Sequence, residues 1–60
     1  MSDHLPKDAV MLLSVVNARL RDYYTSLDDL CKSLQADKEW IIRTLSEIDY
    51  TYNPSSNQFE

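Results

Sequence analysis

The chain has no glycine, a single cysteine and a single histidine among its 60 residues, and each shortage removes an option. Without glycine, any position that needs a positive φ must be filled by Asn, Asp, Gln or a similar residue, at some cost. One cysteine excludes an intramolecular disulfide. Cys31 and His4 are the only soft ligands, whereas structural zinc takes four, so no metal and no cofactor is expected. No apolar run approaches the roughly 18 residues that span a bilayer. The longest apolar stretch, Ala9 to Val16, is broken by Ser14, and no small-residue cleavage site follows it, so it does not read as a signal peptide. A lone thiol without an export signal suits a reducing cytoplasm. Basic residues are also scarce, six against ten acids for a net charge of −4. That balance disfavours nonspecific binding to nucleic acid or anionic membranes.

What remains is enough for one small domain. A chain this short buries only about 60% of the surface its unfolded form exposes, so stability must come from packing, capping or self-association. With 43% hydrophobic residues and aromatics at 10%, the composition is that of a folding chain.

Three capping signals divide the chain into helices. Asp8 can cap a first helix near residues 9–22, behind Pro6, with Ala9, Leu12, Leu13, Val16, Leu20 and Tyr23 as its core face. The opposite side carries Ser14, Ala18, Arg21 and Asp22. Ser26 opens a second helix near 27–35. Ser26-Leu27-Asp28-Asp29 has the spacing of a capping box, with Asp in the place of Glu or Gln, and Leu27, Leu30, Cys31 and Leu34 form the apolar face. After a tight break at Gln35-Ala36, Asp37 caps a third helix near 38–48. Its stripe is Ile41, Ile42, Leu45 and Ile48, and Asp49 ends it. The tail across 50–60 alternates as a strand should at Tyr50-Thr51-Tyr52-Asn53. It turns at Asn53-Pro54-Ser55-Ser56, lets Asn57 take the left-handed conformation, and returns with Phe59 inward.

The fold class that follows is mainly α: a three-helix domain with a short C-terminal β-hairpin. Ser26 to Ile48 resembles the helix-turn-helix of winged-helix proteins. Leu30, Leu34, Ala36, Ile41 and Leu45 fall at its apolar positions, and Cys31 falls where a small residue separates the helices. Together with the hairpin this gives a miniature winged-helix outline. Gln35 departs from that pattern by occupying the turn position usually given to glycine, which implies a looser or differently shaped turn. Nearly the whole chain is also similar to a family of short bacterial proteins known only as a domain of unknown function, the family numbered 4250. The resemblance is carried by Leu5-Pro6-Lys7-Asp8, by Met11-Leu12-Leu13-Ser14-Val15-Val16-Asn17, by Leu20-Arg21-Asp22, by Ser26-Leu27 with Leu30-Cys31, and by Asn57-Gln58-Phe59. Ala9 stands where the family has proline. This second resemblance implies no activity.

Catalytic readings of the chain are poor. Asp28 and Asp29 are adjacent at a helix start and diverge, whereas acid–base chemistry needs converging groups. A Cys31–His4 dyad needs contact between a mid-helix apolar thiol and a terminal histidine. The candidate functional surface is therefore one of interaction. Met11, Val15 and Ala18 form an apolar strip beside the core face, open to packing under Leu5 or the hairpin, or to self-association. Trp40 lies off the third helix's stripe, as an interface anchor or a cover for the hydrophobic rim. Asn17 and Arg21 form either a polar patch or bonds to a neighbouring loop or helix end. Arg43 completes the set as one of three bases between Ser26 and Ile48. Against them stand five acids, a net of −2, which argues against a groove-reading third helix. Tyr23, Tyr24, Tyr50 and Tyr52 lack the interleaved bases that nucleic-acid stacking needs. The expected function is a non-catalytic interaction or accessory module in the cytoplasm, with an unidentified protein or a second copy as partner. The alternative is a winged-helix-like DNA-binding regulator.

Overall fold

Each helix begins where its cap begins, because the first N–H groups of a helix have no partner within it. In the computed structural model, which describes residues 5–60, α1 runs Ala9–Asp22 and the Asp8 carboxylate accepts the Met11 N–H at 3.0 Å. Helix α2 is Leu27–Leu34, with Ser26 Oγ accepting the Asp29 N–H at 3.0 Å. The return arm of this capping box lands one residue early: Asp29 accepts from the Thr25 N–H at 3.3 Å instead of from the cap itself. Helix α3 is Lys38–Ser46, and Asp37 accepts from both Glu39 and Trp40.

Left-handed residues supply the stops, and none is glycine. Gln35, at φ 53° and ψ 43°, ends α2 and sends the Ala36 N–H back to the Cys31 carbonyl at 2.9 Å. A non-glycine residue held there costs about 1–2 kcal/mol, which the returning hydrogen bond offsets. The sequence led us to expect α3 to reach residue 48, but its regular ladder stops at Ser46. The N–H groups of Ile48 and Asp49 reach only three residues back. Asp49 then turns left-handed at φ 65°, which folds the Tyr50 N–H onto the Leu45 carbonyl at 3.0 Å. Asn57, at φ 55°, is the third such residue among those described.

The tail forms a two-stranded antiparallel sheet, β1 Tyr52–Asn53 against β2 Gln58–Phe59, with Tyr52 opposite Phe59 and Asn53 opposite Gln58. Thr51 and Glu60 extend it by exchanging both backbone bonds at 2.9 Å. Within the turn, Asn53 Oδ1 accepts the Ser55 N–H at 2.9 Å, the side-chain mimic of a backbone turn that makes Asn a turn residue.

The core draws on every helix and on β2: Leu12, Val16 and Leu20 from α1, Leu27, Leu30 and Cys31 from α2, Ile41 and Leu45 from α3, and Phe59. Burying each of the larger side chains contributes about 1.5–3 kcal/mol. Several expected core positions lie elsewhere. Leu13 and Leu34 are half-buried at the rim of the core. Tyr23 is 72% exposed, because it leaves the helical path at φ −127° and swings away from the α1 face. Ile42 is also exposed, one position beyond a stripe that runs Ile41, Thr44, Leu45. Thr44, which the expected stripe did not include, is buried instead, at 8% exposure.

Candidate interaction surface

The outer face of α1 is defined by what covers its flank. Asn17 faces β2, and its side-chain amide behaves like a residue of a third strand. Its Nδ2 donates to the Phe59 carbonyl at 3.1 Å, and its Oδ1 accepts the Phe59 N–H at 2.8 Å. Both outward backbone groups of Phe59 are thereby satisfied, as burial requires. Gln58 Nε2 donates to the carbonyls of Asn17 and Asn57. Asn57 Nδ2 donates to the Leu20 and Tyr24 carbonyls, each at 3.0 Å, capping the C-terminal end of α1 from outside. Its Oδ1 accepts the Tyr52 hydroxyl at 2.7 Å, and the Tyr52 hydroxyl oxygen in turn accepts the Leu27 N–H at the start of α2. A continuous polar chain thus joins the end of α1, the hairpin and the start of α2. Of the two readings of Asn17, the structure gives the structural one. Arg21 makes no such link and pairs with its exposed neighbour Asp22 at 3.0 Å.

Beyond this flank lies the strip expected on α1. Met11 is 60% exposed, with Val10 beside it at 62%, whereas Val15 and Ala18 are half-buried. Val15 and Ala18 line an open groove of about 310 Å³ together with Arg19, Asp22 and Tyr23. The structure therefore assembles part of the candidate surface and divides the rest. Met11 is not among the groove's lining residues. Trp40 is half-buried against the core, the rim-covering role weighed for it, and Arg43 is exposed on α3. Sequence reasoning missed Tyr23 as a surface residue. Its position directly after Asp22, at the C-terminal end of α1 beside a second tyrosine, was the available signal. The two rings lie 6.4 Å apart.

Charge at the surface is set by neighbours. The hydrogen bond from Arg21 holds the Asp22 carboxyl below its ordinary value. Lys38 donates to Asp28 at 2.7 Å, clamping the first turns of α2 and α3 together. The bond lowers the carboxyl and raises the ammonium. Glu60 is lowered by hydrogen bonds from Asn53 and Ser56. Burial pushes the Cys31 thiol up, away from the thiolate a nucleophile needs. His4, its suggested partner, lies outside the described residues. Among the described residues no cluster of three or more His, Cys, Asp or Glu is placed to hold a metal ion, and no helix is long and apolar enough to cross a membrane.

Compared with known families, residues 6–59 match the model of DUF4250, a domain of unknown function. The chain belongs to this family. The match covers almost the whole fold, from the residues ahead of the α1 cap to the last residue of β2. No curated protein matches the chain, and no solved structure does.

Proposed function

We infer that this member of the family is a non-catalytic protein-interaction or accessory module acting in the bacterial cytoplasm. The observation that carries this reading is the groove on α1, where half-buried Val15 and Ala18 lie between opposite charges and an exposed tyrosine. An apolar floor, a polar rim and an aromatic at the edge are the ingredients of a protein-binding patch. The titratable groups whose pKa is displaced each have a local structural cause. Four of them are two exposed ion pairs, one braces the hairpin end, and Cys31 is a buried thiol with a raised pKa.

The second reading is a DNA-binding regulator, favoured by the order of three helices followed by a hairpin. Its difficulty is electrostatic. The end of α3 that would approach base edges presents Asp37 and Glu39, and Lys38 there is committed to Asp28. Nucleic-acid affinity comes largely from phosphate neutralisation. The test pairs two measurements on the intact protein. Affinity capture from its own cytoplasm, comparing wild type with a Tyr23→Glu variant, should retain a protein that the variant loses. Fluorescence anisotropy with random and genomic duplexes should show no binding near physiological salt, and submicromolar, salt-dependent binding would promote the regulator.

A further inference from the structure

We draw no further inference here: the strongest candidate, the open groove on the outer face of α1, belongs to the interaction surface already described, and nothing in the structure shows what covers it.

Discussion

The joint between α2 and α3 and the joint between the hairpin and α1 solve one problem by opposite means. The first is mainly apolar: Leu27, Leu30 and Cys31 pack with Ile41 and Leu45, and a single exposed Lys38–Asp28 pair clamps it from outside. The second contributes Phe59 to the core, but its register comes from Asn17, Asn57, Gln58 and Tyr52. Apolar packing tolerates small shifts, because its energy follows area. Hydrogen bonds to specific backbone groups do not, and a strand only two residues long needs such a constraint. The comparison predicts that apolar truncations lower stability everywhere, whereas amide truncations free the hairpin first.

The largest expected effect comes from the apolar joint. Leu30→Ala or Leu45→Ala should cost about 2–5 kcal/mol, a large share of what a small domain has. Chemical denaturation monitored by circular dichroism checks this, and an unshifted midpoint for either variant would mean that the joint is not held by these side chains. Next are Asn17→Ala and Asn57→Ala, each leaving buried backbone groups without partners at a cost of about 1–3 kcal/mol. Amide exchange at Phe59 and Glu60 should accelerate more than exchange in α3. Equal acceleration in both regions would erase the contrast between the joints.

A smaller effect is kinetic. Cys31, buried and with its thiol pKa raised, should react with a thiol reagent far more slowly in the native state than in denaturant. Fast native labelling would show that the α2–α3 joint opens readily. The smallest effect concerns the external clamp. The Asp28 carboxyl sits below its ordinary 3.8, so its contribution is complete above that value and disappears as pH falls through the depressed one. Asp28→Asn should therefore flatten the acid side of the stability profile slightly and leave the neutral side almost unchanged, since exposed pairs contribute little. A large loss at neutral pH would make the clamp a principal element of the joint.

The family resemblance fits this contrast. Among the residues that carry it are Asn17 and Asn57-Gln58-Phe59, and in the structure they fasten the hairpin to α1. They describe how the fold closes, and so they name no ligand. The groove was only half legible. Val15 and Ala18 could be picked out as an apolar strip off the core face. Arg19, four residues after Val15, shares that face by helical spacing, but Tyr23 could not be joined to them, because it takes non-helical angles at the end of α1.

The sequence by itself determined the local structure. Asp8, Ser26 and Asp37 started the helices where their side chains could meet orphan N–H groups. In a chain without glycine, Gln35, Asp49 and Asn57 had to supply the left-handed turns. Pro54 and Asn57 placed the hairpin. These are interactions within a few residues, and their chemistry is written in adjacent letters. Only the tertiary structure decided which edge of each helix met the core, burying Thr44 while exposing Ile42 and Tyr23. Helical periodicity fixes a side chain's angle about its own axis and says nothing of where the neighbouring helix lies. The task of Asn17 was beyond it too, since the partner in Phe59 is 42 residues away. A contact across that distance exists only after the core has brought the two ends of the chain together.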